Sequence, residues 1–214
     1  PGVDRVAPIA NIIKNNATIE NVKVTGSVVG NNDVAGIINK IDGSGKVSNV
    51  AFIGKINSVG NNSTVGGIAG SNYMGFVNRA YVDATITAQN ANASMLVPFV
   101  TYMLNSWKSG TKARVTNSVA KGVLDVKNTR NVGGIVAKTW PYGAVQDNVT
   151  YAKVIKGQEI FASNDVNDED GGPYIKDLFG VIGYSSAEDG TGKDTKSPNK
   201  LKHLTKEEAD KHVE

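Results

Sequence analysis

The feature that most limits what this chain can fold into is an internal repeat. Five segments align: "ATIENVKVTGSV" from Ala17, "GKVSNVAFIGKI" from Gly45, "GFVNRAYVDATI" from Gly75, "ARVTNSVAKGVL" from Ala113 and "GAVQDNVTYAKV" from Gly143. Their equivalent positions are Ile19, Val47, Val77, Val115 and Val145, at steps of 28, 30, 38 and 30 residues. A second half-motif follows each: "VAGII" at Val34, "VGGIA" at Val65, "LVPFV" at Leu96, "VGGIV" at Val132 and "LFGVI" at Leu178. An extra copy, "VAPIA" at Val6, reads as the second half of a preceding coil. Units of this length bury their apolar faces only by stacking on one another.

Aligned in this way, the apolar residues form columns. One is Val22, Val50, Ala80, Ser118, Asn148; a second is Val24, Phe52, Val82, Ala120, Thr150; a third is Val28, Ile56, Ile86, Leu124, Val154. The second half-motif supplies Val6, Val34, Val65, Leu96, Val132, Leu178 and Ile9, Ile37, Ile68, Phe99, Ile135, Val181. Within a copy the period is two, which belongs to strands rather than helices. A column of Pro8, Gly36, Gly67, Pro98, Gly134 and Gly180 marks a fixed bend, because Gly and Pro share little except unusual backbone geometry. A small-residue column, Gly26, Gly54, Ala84, Gly122, Ala152, fits a second corner. These patterns predict an all-β parallel β-helix (β-solenoid) of about five and a half coils over residues 1–184. Two columns turn polar toward the C-terminal end, at Ser118, Asn148 and Thr150. Either the core narrows there or these side chains hydrogen-bond internally.

Composition agrees with many short strands: 40% hydrophobic, only 7% aromatic, with 24 glycines. Cysteine is absent, which excludes a disulfide framework, thiol catalysis and Cys-based zinc sites. There is no apolar run long enough for a membrane-spanning helix. The net charge of +3 is unevenly placed, with eight acidic residues against Lys176 alone in residues 159–189. The lysines elsewhere are scattered and form no stripe with stacking aromatics, so nucleic acid is not an expected partner.

No active site is legible. The two histidines, His203 and His212, lie in the polar tail, and HExxH, GxSxG and a Walker-type loop are all absent. Asp33, Asp42, Asp83 and Asp125 do not converge on one coil face, so carboxylate chemistry is not expected. The expected catalytic, cofactor and metal residues are therefore none. Two interruptions draw attention instead, since insertions in solenoids are often where binding occurs. Between Phe99 and Val115 the step is sixteen residues instead of the usual nine or ten, and the insert carries Tyr102 and Trp107. Neighbouring coils carry Tyr73, Trp140 and Tyr142 at equivalent places. These five aromatics are candidates for a partner-binding edge for peptide or sugar, or they pack back over the core or onto another domain. The second interruption, residues 155–177, contains "NDVNDEDGG". Asp165, Asp168, Glu169 and Asp170 could ligate calcium, although the spacing fails the EF-hand pattern, or they form a solvated acidic loop.

Residues 185–214 read as a polar linker followed by the start of a helix leading to a further domain, with Thr205 as cap and Glu208 completing a capping box. The chain is accordingly read as an internal piece of a longer one.

The repeats "GKVSNVAFIGKINSVGNNSTVGGIAG" and "ARVTNSVAKGVLDVKNTRNVGGIVAK" resemble the Gly-rich GLUG motifs of bacterial surface proteins. Over residues 6–213, including the tail "LTKEEADK", the arrangement is similar to the non-catalytic region upstream of the peptidase domain in streptococcal immunoglobulin A protease-type zinc metalloproteases. The resemblance implies a secreted, cell-wall parent, a virulence-associated zinc hydrolase that cuts host glycoprotein. Its zinc would sit in the parent's peptidase domain, since no HExxH helix is present here to receive the family's ligands. This segment would then position substrate or act as a scaffold, with the host glycoprotein and the peptidase domain of the same chain as partners. The alternative expectation is an adhesin-type module that grips a host glycan or protein.

Overall fold

The structure, a computed structural model, describes residues 4–101, 113–139, 143–146 and 148–155, together with the strand segments Phe161–Asn164, Leu178–Phe179, Val181–Gly183 and Leu201–His203. All the regular structure among these residues is β, and the paired strands are all parallel. The described residues wind into a solenoid of about four turns, fewer than the five and a half coils the repeat predicts, with one thirteen-stranded and one six-stranded sheet. A half turn (Arg5–Val6, Ala10–Ile13) is followed by Thr18–Gly30, Asp33–Ala35 and Ile38–Asp42. Then come Lys46–Gly66 with Ala69–Tyr73, Phe76–Ser94 with Phe99–Thr101, and Ala113–Thr116, Val119–Gly133 with Val136–Thr139. The tail helix expected from Thr205 lies outside the described residues.

The first three columns stand as the repeat implies. Val24 lies beside Phe52, Phe52 beside Val82, Val82 beside Ala120, and Ala120 beside Thr150. The column from Val28 to Val154 is equally continuous. Phe52, Val82, Ile86 and Leu124 are fully buried in one core that runs the length of the ribbon. Each rung's backbone N–H and C=O groups pair with the rungs on either side, so stacking satisfies both burial and hydrogen bonding.

Inward residues at the first corner are three apart rather than two: Val47 and Val50, Val77 and Ala80, Val115 and Ser118. The extra residue adopts a left-handed conformation, at Asn21 (φ 57°), Asn49 (φ 51°), Arg79 (φ 53°) and Asn117 (φ 51°). Asparagine tolerates this region better than other residues bearing a Cβ. The Asn49 side chain donates to that of Asn21, and Asn117 Nδ2 donates to Asn78 Oδ1 at 2.9 Å. The small-residue column makes the next irregularity, with positive φ at Gly26, Gly54 and Gly122. A Cβ at Gly54 would collide with the Gly26 carbonyl oxygen, which explains why side chains are kept small there.

The second half-motif requires a correction in the third turn. Val65 lies beside Ala93, and Ala93 beside Val132, so Ala93 and not Leu96 occupies that column. The N–H of Ile68 donates to Leu96 C=O, and that of Val97 to Ile135 C=O, so Leu96 takes the place assigned to Phe99. Met95, not Pro98, stands in the Gly/Pro column, where its carbonyl faces Gly67. The triplet Leu96-Pro98-Phe99 copies the spacing of Val65-Gly67-Ile68 three residues late.

The final half-motif is also corrected. Leu178 pairs with Val145, and Val181 leads into the pairs Ile182 with Val149 and Gly183 with Thr150. Leu178–Phe179 and Val181–Gly183 therefore begin a new turn, and Leu178 and Val181 do not belong to the second-half columns; Gly180 lies outside the described residues. The strand that does stack on Val136–Thr139 is Phe161–Asn164, inside the stretch read as an insertion. Beyond residue 184, Leu201–His203 adds one more strand beside Val181–Gly183.

The Gly/Pro column marks a bend that is concave on its outer side. Gly36 and Gly67 point inward, toward the Phe52 ring and Val82. Ala35, Gly66, Ser94 and Gly133 point outward yet are buried. A Cβ on Gly66 would strike the carbonyl of Ala69 across the bend, so only small residues fit along this floor.

Candidate functional site

That concave bend opens, across the first turns, into a groove of about 250 Å³. One wall comes from the strands just before the bend. Arg5 lies beside Asp33 and Asp33 beside Thr64, each outward because Val6, Val34 and Val65 point in. The other wall comes from the six-stranded sheet, where Ile12, Lys40 and Ser71 form one column and Asp42 and Tyr73 the next.

Asn39 sits at the base, only 4% exposed. Both it and Lys40 line the groove. In the amide orientation that satisfies both its polar atoms, Nδ2 donates to the carbonyls of Val6 (3.1 Å) and Asp33 (3.2 Å) while Oδ1 accepts from the Val6 N–H (3.0 Å). Asn39 thus ties the two walls together and fixes their separation. Gly70, in the next turn, faces Thr64 Oγ1 across the same gap.

The charges in the groove are matched. Arg5 Nε donates to Asp33 Oδ2 at 3.2 Å, and Thr64 Oγ1 donates to Asp33 Oδ1 at 2.6 Å. Lys40 Nζ lies 3.4 Å from Asp42 Oδ2 and 4.5 Å from the centre of the Tyr73 ring. Burial, with the carboxylates of Asp33 and Asp42, raises the Tyr73 hydroxyl above its ordinary pKa of 10.0. Tyr73 therefore stays a neutral donor and acceptor at physiological pH.

Of the five aromatics proposed as an edge, Tyr73 lies in this groove, whereas Tyr102, Trp107, Trp140 and Tyr142 lie outside the described residues. The acidic loop 165–170 lies outside them as well. Arg5, Asn39, Lys40 and Thr64 were not singled out by sequence reasoning, and Asp33 and Asp42, expected to stay apart, both act on Tyr73 in this groove. A signal was present: Arg5, Asp33, Thr64, Asn92 and Asn131 each precede an inward residue of one column, an unbroken polar series beside the bend.

Other outer faces are flatter. Lys121 lies between the rings of Tyr81 (5.8 Å) and Tyr151 (5.7 Å), and Arg114 lies 5.7 Å from the Phe76 ring. Among the described residues no three His, Cys, Asp or Glu side chains gather closely enough to hold a metal ion. The residues present here do not fit zinc.

Comparison with known proteins gives a narrow result. The chain is 50% identical over 215 aligned positions to "Zinc metalloprotease ZmpB" of Streptococcus pneumoniae serotype 4, covering 99% of this chain and 11% of that protein. It is 30% identical over 175 positions to "Zinc metalloprotease ZmpC" of the same organism, covering 77% of this chain and 9% of that one. The chain thus spans about a tenth of the length of the curated relatives it matches. No protein-family model matches it, and no solved structure does.

Proposed function

We propose that this chain is a non-catalytic β-solenoid module of a ZmpB-like zinc metalloendopeptidase, carried on the bacterial surface, that helps position or scaffold a host glycoprotein substrate. The observation that carries the reading is half-identity to ZmpB across nearly the entire chain, confined to a small fraction of that protein. The geometry is compatible with it. The ribbon spends its backbone hydrogen bonds on its own stacking and gathers no ligand set for zinc among the described residues. On this reading the GLUG-like repeat is a structural device, and the immunoglobulin A protease-type chemistry resides in a peptidase domain of the same polypeptide.

The test compares the full-length protease with an in-frame deletion of this segment. The deletion raises KM for a glycoprotein substrate and leaves the turnover of a short peptide and the zinc content unchanged. Stoichiometric zinc bound to the isolated 214-residue chain, or loss of peptide turnover in a folded, zinc-loaded deletion protein, overturns the reading.

A further inference from the structure

We propose that the groove between Arg5, Asp33 and Thr64 on one side and Lys40, Ser71 and Tyr73 on the other binds a short, neutral oligosaccharide. The inference goes beyond the role of the chain in a protease and does not depend on it.

The ligand class follows from what the groove offers and what it lacks. Peptides are commonly captured by adding a strand to an exposed edge, where unpaired N–H and C=O groups await them. The groove's outermost strands, Arg5–Val6 and Ala10–Ile13, pair on one side only, but most of the groove lies along Asp33–Ala35, Ile38–Asp42 and Ala69–Tyr73, whose backbone groups pair with strands on both sides. Only side chains face a ligand there. A polyanion or polycation would need an excess of one sign. Instead, Arg5 is paired with Asp33 and Lys40 with Asp42, at 3.2 and 3.4 Å. What is left is a dense set of neutral and paired hydrogen-bonding groups: hydroxyls on Thr64, Ser71 and Tyr73, and the edges of two ion pairs. Beside them lies an aromatic ring, with an apolar body and a polar tip. Donors and acceptors interleaved around such a ring match the alternating hydroxyls and C–H faces of a sugar. Asn39 holds the walls at a set distance, so the groove is formed before the ligand arrives and less ordering entropy opposes binding.

The experiment is titration of the isotope-labelled 214-residue chain, followed by backbone amide NMR. The probes are maltotriose, chitotriose and N-acetyllactosamine, with a heparin disaccharide and an uncharged hexapeptide as controls. At least one neutral sugar shifts the amides of Thr64, Ser71 and Tyr73, and the controls do not. Tyr73→Ala weakens that binding about tenfold or more. Ser71→Ile fills the groove from a strand position with a good β-former, so it blocks binding even if Tyr73→Ala fails to fold. Tyr81→Ala, on a different face, leaves binding unchanged. The proposal is overturned if none of the three sugars shifts the groove amides, if the shifts survive Ser71→Ile, or if the hexapeptide or the heparin disaccharide occupies the groove instead.

Discussion

The turns before Ala80 and the turns after it solve the same packing problem with different chemistry. In the early turns the column beside the asparagine corner is aliphatic: Val22, then Val50, 3% exposed. In the later turns the same column holds Ser118 and Asn148, both buried. Ser118 Oγ accepts from the Ala80 N–H at 3.0 Å and donates to the Thr116 carbonyl at 2.8 Å. Asn148 Oδ1 accepts from the Ser118 N–H at 3.0 Å, and Nδ2 donates to the Val115 carbonyl at 2.8 Å. The left-handed corner residue swings the backbone away from its neighbour, and a short polar side chain takes over the rung hydrogen bond. A core position can thus be polar where the backbone has a bond to give, and must be aliphatic where it has none.

The largest effect is expected at Ile68, fully buried in the aliphatic turns. Ile68→Asp places a charge there with no partner and lowers stability by more than about 4 kcal/mol in urea unfolding. A loss below about 1 kcal/mol would mean that this column is not interior. Next in size is Asn148→Ala, which strands the Ser118 N–H and the Val115 carbonyl at a cost of about 2–4 kcal/mol. Val50→Ala, which removes only apolar volume from the same column, costs about 2 kcal/mol. If Asn148→Ala is near neutral by thermal unfolding, the hydrogen-bonded half of the comparison fails.

A pair of glycines separates the effect of a neighbouring rung from that of backbone conformation. Gly54→Ala drives a Cβ into the Gly26 carbonyl and costs about 2–3 kcal/mol. Gly26→Ala meets nothing within 4 Å and bears only the conformational cost of its φ of 130°, about 1 kcal/mol. Equal effects in the two variants would show that φ alone governs this column.

The smallest effect concerns the polar groups gathered in the groove of the early turns. The Tyr73 pKa is raised, first by burial and then by Asp33 and Asp42. Below pH 10 both the folded and unfolded chains keep the phenolic proton. Above it the unfolded chain ionises first, so stability falls as pH rises through this region. Tyr73→Phe makes that alkaline decline shallower in a pH series of denaturant midpoints. A decline remains from Tyr81, whose pKa is raised by burial and Asp83.

How much of this was legible in the sequence differs from column to column. The three columns of the first half-motif could be read directly, because the steps inside it are short and nearly invariant. The second half-motif could not be phased as safely. Between Val28 and Val34, Ile56 and Val65, Ile86 and Ala93, and Leu124 and Val132 the step is six, nine, seven and eight residues. Irregular rungs near Asn61 and Thr129 absorb the difference. With no set step, the apolar residues and proline of "LVPFV" place the copy three residues late, whereas the hydrogen bonds choose "ASMLV".

By itself, the sequence determined that the chain stacks strands in parallel turns, since a period of two nested in a repeat of about thirty residues leaves few other ways to bury every copy. It also located the bend where Gly or Pro stands at it, as at Gly36 and Gly67, but not in the third turn, where Met95 takes that place. The tertiary structure alone decided the register of the third turn, the bonding of Ser118 and Asn148, and the groove around Tyr73. The physical reason is common to all three. Each depends on which residues from different turns, roughly thirty positions apart in the chain, come to lie side by side. Periodicity says which way a side chain points, but only the rung hydrogen bonds say what it points at.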